Sequence, residues 1–360
     1  MLRDTHFLHH ALRLAERGLG HTWPNPTVGC VLVKDDVILA ATRTADSGRP
    51  HAETLALAIA GNAARGATAY VSLEPCAHHG KTPPCAQALI DAGVARVVIG
   101  CVDPDPRVQG KGATMLRAAG IDVEFIDMPE AARLNRGFFR RITQGLPYVA
   151  MKLATSQDHF MARNDGATQW LTGEFARQHG HALRAQFDCI VTGIGTVLAD
   201  DPLLTVRPPI APHPTLVRVV ADRQLRLPLT SKLVKTANTH PLWLITSAEA
   251  VELAASHATE LREAGVKFLV VEDTALAPRT LLSALAAEGI TRVLIEAGPT
   301  LSASFLAAGM VESMHWYRAP MTLGNAGKSP MDALNSSLTD AVRSDTRNLG
   351  NDIYERFELC

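Results

Sequence analysis

Over the first 145 residues short apolar runs alternate with longer amphipathic stretches. Phe7 to Arg17 sets its apolar residues at helical spacing. Val28 to Val33 is a short apolar run, answered across Lys34-Asp35-Asp36 by Val37 to Ala41, the pattern of two paired strands. His51 to Ala64 is rich in alanine and leucine with Pro50 just before it, which opens a helix. Strand patterns follow at Ala69–Leu73, Val94–Cys101 and Val123–Ile126, with helical ones at Pro84–Ala92 and Lys111–Ala119. Strands separated by helices of this length predict an α/β sheet with helices on its faces.

The rhythm pauses at Gln144-Gly145-Leu146-Pro147, and the boundary between domains 1–145 and 146–360 is placed there. The second half resumes with buried-looking strands at Tyr148–Leu153, Cys189–Thr192, Leu216–Ala221, Pro241–Thr246, Lys267–Val271 and Arg292–Glu296. It does not repeat the first half. Pro202 and the Pro208–Pro214 cluster predict a long, extended loop lying on the surface.

Composition narrows the function. The 360 residues carry 35 Lys+Arg against 36 Asp+Glu, a net charge of −1, so the basic excess that draws a protein to nucleic acid is missing. With 47 % hydrophobic residues the chain can bury a core, and its length suits two domains. Apolar runs fall short of the roughly 18–20 residues of a membrane span, so neither a signal peptide nor an anchor is expected. Six scattered cysteines do not make a secreted disulfide framework; reduced thiols in cytoplasm are expected, and a close Cys pair there suggests metal.

That pair belongs to the strongest chemical signal, His51-Ala52-Glu53 followed by Glu74-Pro75-Cys76 and Cys85. One imidazole and two thiolates suit zinc, and three protein ligands leave a fourth tetrahedral position for a water whose acidity zinc raises. Glu53, two residues from His51, is placed to move protons. Cys85 heads a helix, where N–H groups and the helix dipole favour thiolate. HAE at a helix start with PC after the next strand is the pattern of zinc nucleobase deaminases, although eight residues separate the cysteines here instead of two. The intervening Lys81 could meet an anionic group such as a phosphate or be a solvated loop lysine; His78 and His79 are read as loop or substrate-facing residues.

These segments, EPCAHHGKTPPC with PHAE and the earlier Asn25-Pro26-Thr27-Val28-Gly29-Cys30, resemble the bifunctional deaminase–reductase family of riboflavin biosynthesis over nearly the whole chain. The resemblance implies a cytidine-deaminase-like three-layer α/β/α domain with zinc on His51, Cys76 and Cys85, Glu53 as catalytic proton carrier, and Asn25 seating the pyrimidine. It places Asp103-Pro104-Asp105-Pro106 near the substrate's sugar. Family members often have a His where this chain reads Ala41-Thr42-Arg43-Thr44-Ala45, and Arg43 is the expected substitute; Asp105 stands where Asn is common.

After residue 146 no G-x-G-x-x-G fingerprint follows a strand, so a standard dinucleotide fold is not expected. Two glycine-bearing strand-to-helix turns, Gly193–Pro202 and Glu296–Leu301, instead offer free N–H groups suited to phosphate. Lys152–Ser156, Thr168-Gln169-Trp170, Leu183-Arg184, GTVLADDP, Leu203–Arg207 and EAGPTL resemble the same family's NADPH-dependent reductase domain, similar in fold to dihydrofolate reductase. Position by position, the resemblance puts Ala154, Trp170, Thr196, Asp200 and Gly298-Pro299-Thr300-Leu301-Ser302-Ala303-Ser304 on NADP. It puts Thr168, Arg184, Leu204, Arg207 and Glu296 on the substrate, with Lys152 helping to position the ribose. Two arginines would serve the phosphate ester through their guanidinium forks. His159 replaces a common glycine in Ser156-Gln157-Asp158-His159, so a differently shaped turn is expected.

The expected partner is thus a small phosphoribosylamino-pyrimidine, with no nucleic acid or membrane, in a homodimer joined through the reductase domain. The competing reading is a tRNA or nucleoside deaminase with an unrelated nucleotide-binding domain; the first of these would carry a basic stripe.

Overall fold

In the computed structural model the chain divides into two compact units, Met1–Gly145 and Leu146–Cys360. The residues described are 2–78, 83–163, 171–211, 213, 215–324, 327–328 and 331–359. Lys81, Thr168, Trp170 and His79, each singled out above, lie outside them, as does the cysteine at position 360.

The first unit runs α1 (Leu2–Glu16), β1 (Gly29–Lys34), β2 (Val37–Arg43), α2 (Ala52–Ala60), β3 (Thr68–Val71), α3 (Cys85–Ala92), β4 (Arg96–Ile99), α4 (Lys111–Ala118), β5 (Asp122–Phe125), α5 (Pro129–Leu134) and α6 (Arg136–Gln144). Its sheet has the order β2-β1-β3-β4-β5, antiparallel at β2-β1-β3 and parallel from β3 to β5. The central strands β1, β3 and β4 are buried on both faces because each face carries helices. One layer packs Ala52, Ala56, Ala86, Leu89 and Leu116 against Leu32, Val71 and Val97; the other packs Leu8, Ala11 and Ala131 against Val31, Tyr70 and Val98. Alternation of side chains along each strand sends neighbours to opposite layers. Gly29 is required by α1: a Cβ there would lie 1.8 Å from the Ala11 carbonyl oxygen.

The second unit comprises β6 (Tyr148–Thr155), β7 (Ala162–Arg163), α7 (Glu174–Arg184), β8 (Cys189–Gly193), α8 (Ile194–Asp200), β9 (Val217–Ala221), α9 (Lys232–Lys235), β10 (Leu242–Ser247), α10 (Ala248–Leu253), α11 (Ala255–Glu263) and β11 (Lys267–Val271). It continues with α12 (Pro278–Ala287), β12 (Arg292–Ile295), α13 (Pro299–Ala307), β13 (Ser313–Arg318), β14 (Gly327–Lys328), α14 (Met331–Leu338), β15 (Val342–Leu349) and β16 (Asp352–Glu358). Nine strands form one sheet, β11-β10-β9-β8-β12-β6-β13-β16-β15, parallel up to β13 and antiparallel beyond it, while β7 and β14 pair separately. In such sheets ligands bind outside the carboxyl ends of the parallel strands.

Two expectations need correction. The proline-rich segment after α8 is irregular but does not simply lie on the surface: Leu204, Thr205, Val206 and His213 are buried. Its apolar side chains join the core, and Arg218, wholly buried on β9, donates to the Leu203 carbonyl. The turn at His159 keeps the left-handed backbone that a glycine would supply, at φ +69°. The Ser156 hydroxyl bonds the Asp158 carboxylate and accepts from the Phe160 N–H, and these contacts hold the turn without glycine. No helix among the described residues is long and apolar enough to cross a membrane.

Candidate active sites

In the first unit His51 is the residue before α2, Cys76 lies in the loop after β3, and Cys85 opens α3. The polypeptide therefore brings three ligands of two types, one imidazole and two thiols, to one end of the sheet. Nδ1 of His51 is 3.3 Å from the Cys85 sulfur and 3.7 Å from the Cys76 sulfur, and the ligand atoms all lie within 4.8 Å of one another. A tetrahedral zinc with bonds of about 2.3 Å to sulfur and 2.0–2.1 Å to nitrogen separates N and S by about 3.6 Å, so the three residues fit that ion.

Electrostatics agrees with a thiolate-bearing site. The Cys76 thiol is held down at about 4, first by the hydrogen bond from the Cys85 thiol and then by His51 and the Cys85 N–H, which lies 3.3 Å from the sulfur. Cys85 is pushed up by the same shared proton and by burial. His51 is raised, chiefly by its bond to Cys76. Glu53, in the first turn of α2, is 3 % exposed, and burial raises its carboxyl.

The Cys76 loop is held by a residue whose part the sequence did not reveal. Glu74 is buried and accepts N–H groups from Gly110 and Ala113 at the start of α4, at 3.0 and 3.2 Å. Gly112 lets α4 approach, since a Cβ there would meet the Pro75 carbonyl at 2.0 Å. The Glu-Pro-Cys tripeptide was the available signal. Asp103 and Asp105 lie in the loop between β4 and α4; Asp103 is raised to about 6, mainly by burial, while Asp105 is lowered by its hydrogen bonds from Arg107. Asn25 donates to the Gly48 carbonyl at 2.8 Å, beside the turn that leads into His51. Arg43 is occupied by Asp46 at 2.8 Å and the Thr44 carbonyl, and Thr44 is buried with its hydroxyl on the Val28 N–H. Arg43 is therefore not a free substitute for a histidine.

In the second unit β6, β12 and β8 are adjacent and parallel, and their carboxyl ends gather the candidate residues. Glu296, immediately after β12, accepts Nε and Nη2 of Arg184 at 2.6 and 3.0 Å, with Lys152 Nζ 3.8 Å away. Burial alone would raise Glu296; the Arg184 and Lys152 charges and the Arg184 hydrogen bonds outweigh it, holding the carboxyl at about 2. Burial lowers Lys152 despite Glu296. The Arg184 fork is thus engaged by Glu296, and Nη1 donates to the Thr205 carbonyl at 2.9 Å. Arg184 thereby spans Glu296 and the loop that carries Leu204 and Arg207.

His181, one turn earlier on α7, also bonds the Thr205 carbonyl and is lowered to about 4 by burial and the Arg184 and Arg207 charges. Tyr317 places its ring under the Lys152 ammonium, 5.4 Å away, and its hydroxyl 2.8 Å from His179. No local pattern signals these last roles, because each depends on which strands become neighbours.

The two glycine turns leave the adjacent strands β8 and β12 and are tied by the Gly298 N–H donating to Thr196 Oγ1 at 3.0 Å. Gly298 is the residue before α13, so Pro299 to Ser304 form that helix's first turns. Ala154 lies near the end of β6, and Asp200 ends α8, where burial raises its carboxyl.

Residues 1–101 match the cytidine and deoxycytidylate deaminase zinc-binding region, and residues 147–354 match the RibD C-terminal domain. The protein is therefore of the class that joins a cytidine-deaminase-like α/β domain, with its His/Cys/Cys zinc-binding cluster, to a dihydrofolate-reductase-like domain. The riboflavin biosynthesis protein RibD of Escherichia coli is 40 % identical over 98 % of both chains, and that of Aquifex aeolicus 38 % identical over 99 % of this chain and 98 % of its own. Among solved structures, RibD of Acinetobacter baumannii superposes with a TM-score of 0.88 at 41 % identity over 99 % of each chain. A diaminohydroxyphosphoribosylaminopyrimidine deaminase/5-amino-6-(5-phosphoribosylamino)uracil reductase from Thermotoga maritima gives 0.85 at 30 % identity, over 99 % of this chain and 98 % of its own. The chain belongs to the RibD family of bifunctional riboflavin-biosynthesis deaminase/reductases.

Proposed function

We propose that residues 1–145 deaminate 2,5-diamino-6-hydroxy-4-(5-phosphoribosylamino)pyrimidine and that residues 146–360 reduce the ribosyl chain of the product, 5-amino-6-(5-phosphoribosylamino)uracil, to ribityl with NADPH. The gathering of His51, Cys76 and Cys85 around one point, with buried Glu53 on the same helix start, carries the reading. Zinc, when bound, supplies the Lewis acidity that makes water nucleophilic at neutral pH. Glu53 takes a proton from the attacking water and gives it to the ring nitrogen, then takes the second proton from the hydroxyl so formed and gives it to the departing amine, so that the carbonyl forms and ammonia leaves. Asn25 and Asp103 hold the pyrimidine and its sugar, and Lys81 meets the phosphate.

In the second unit Ala154, Trp170, Thr196, Asp200 and Gly298–Ser304 hold NADPH, which supplies the hydride. The α13 N-terminus suits the cofactor's phosphates. Lys152, Thr168, Arg184, Leu204, Arg207 and Glu296 orient the sugar phosphate. Homodimerisation through this unit and a cytoplasmic location belong to the same reading; sedimentation of the purified chain tests the first.

The decisive comparison is wild type against Cys85→Ser, with zinc content, ammonia release and NADPH oxidation measured together. The expected variant loses zinc and ammonia release but still oxidises NADPH with pre-deaminated substrate. A zinc-replete wild type that does neither reaction, or full deamination by Glu53→Gln, overturns the reading.

A further inference from the structure

The segment between the two family matches, residues 102–146, contains a buried asparagine with an unusual pair of bonds. Asn135, between α5 and α6, is 3 % exposed. Its Oδ1 accepts the Thr27 N–H at 2.9 Å and its Nδ2 donates to the Thr27 carbonyl at 3.0 Å, across 108 residues of sequence. The side-chain amide treats Thr27 as a neighbouring strand would, just before β1 begins its pairing with β2 at Gly29 and Arg43. The amide orientation is fixed by the partners, since an N–H needs the oxygen and a carbonyl needs the nitrogen.

The residues around Thr27 are held as closely. Its hydroxyl donates to the Ala15 carbonyl at 2.6 Å, Val28 exchanges bonds with Thr44, and the Gly29 N–H donates to Ser72. Two residues earlier Asn25 donates to Gly48, whose φ of +80° and missing Cβ let the two loops touch; a Cβ there would sit 2.7 Å from Asn25 Nδ2. One end of this loop leads into β1, where burial and the Glu53 charge both raise Cys30; the other contact leads into His51.

We infer that Asn135 is a positioning residue for the deaminase: by taking both backbone groups of Thr27 it fixes the loop that presents Asn25 to the pyrimidine. The inference rests on the reading of Asn25 as a substrate contact. It assigns to α5 and α6, which lie outside the matched zinc-binding region, the task of setting substrate affinity without touching metal or substrate.

The full-length chain tests this as wild type, Asn135→Ala, Asn135→Asp, Asn25→Ala and the Asn25/Asn135 double alanine variant. Deaminase KM and kcat, zinc content, the reductase rate of the same chain and hydrogen exchange of the Thr27 amide are measured. Asn135→Ala is expected to raise KM about tenfold, with kcat within about twofold and zinc and reductase rate unchanged, because the loss is one of preorganisation. The Thr27 amide should exchange faster, and the double variant should exceed Asn25→Ala only slightly, as for two residues acting in series. Asn135→Asp keeps the acceptor for the Thr27 N–H but sets a carboxylate oxygen against the Thr27 carbonyl, so it should raise KM at least as far as alanine does, and it supplies a second measurement if the alanine variant does not fold. Unchanged KM in the aspartate and alanine variants beside a raised KM in Asn25→Ala overturns the inference alone. An unchanged KM in Asn25→Ala overturns the reading beneath it, and a joint fall of kcat, zinc and reductase rate reduces Asn135 to a stability residue.

Discussion

Replacing Glu296 by Gln removes the one carboxylate that, among the described residues, pairs with Arg184 and Lys152, while keeping shape and hydrogen-bonding capacity. Glu296 and Arg184 are well buried, at 8 % and 14 % side-chain exposure, so screening by water is weak. A carboxyl group moved from 4.5 to about 2 on folding contributes about 3 kcal/mol at neutral pH. The sign follows from the depressed value: the contribution is fully present above pH 4.5 and is lost as pH falls from there towards 2. Glu296→Gln should therefore lose roughly 3 kcal/mol at pH 7, within the range for breaking a buried pair, and progressively less below pH 4.5. Three of the four tryptophans, Trp170, Trp243 and Trp316, lie in the second unit, so denaturant titration followed by their fluorescence reports on that unit. The variant should also lose reductase activity, because Arg184 no longer holds the Thr205 loop and Lys152 loses the charge that opposes its desolvation. An unfolding midpoint equal to wild type at pH 7 would refute the assignment of Glu296 as the compensating charge.

Two further substitutions test the packing on which the sites rest. Thr192, wholly buried on β8, has a hydroxyl without a hydrogen-bond partner among the described residues, so Thr192→Val should be neutral or stabilise by up to about 1 kcal/mol in the same titration; a clear loss of stability would show that the hydroxyl is satisfied. Gly29→Ala forces a Cβ onto the α1 backbone at Ala11 and should cost more than about 3 kcal/mol, seen as loss of bound zinc and of first-unit structure by circular dichroism, whereas native-like zinc content would contradict the close approach.

Much of the first unit's local structure was legible because it is written in local patterns. The apolar run at Val28–Val33 and its reply at Val37–Ala41 became the β1–β2 pair, and Pro50-His51 does mark the entry to α2. The helices α5 and α6 drew no expectation, although Pro129 stands at a helix start. Their apolar faces are short and interrupted by arginines, so the signal is weak until α1 is there to receive Ala131. β15 was equally silent: Val342–Leu349 is mostly polar and exposed, and it is a strand because β16 offers an unpaired edge.

By itself the sequence determined the donor chemistry: an imidazole, two thiols and a carboxylate at spacings that suit zinc, and glycine turns after apolar strands. Those are properties of residue types and of neighbours along the chain. Tertiary structure alone decided the partners: Asn135 on Thr27, Glu74 on the start of α4, and Arg184 on Glu296. The physical reason is that a hydrogen bond or ion pair across 36 to 112 residues depends on strand order and helix placement, which only the packed core sets. A polar residue's type limits what it can bond, and burial then requires that some partner be found.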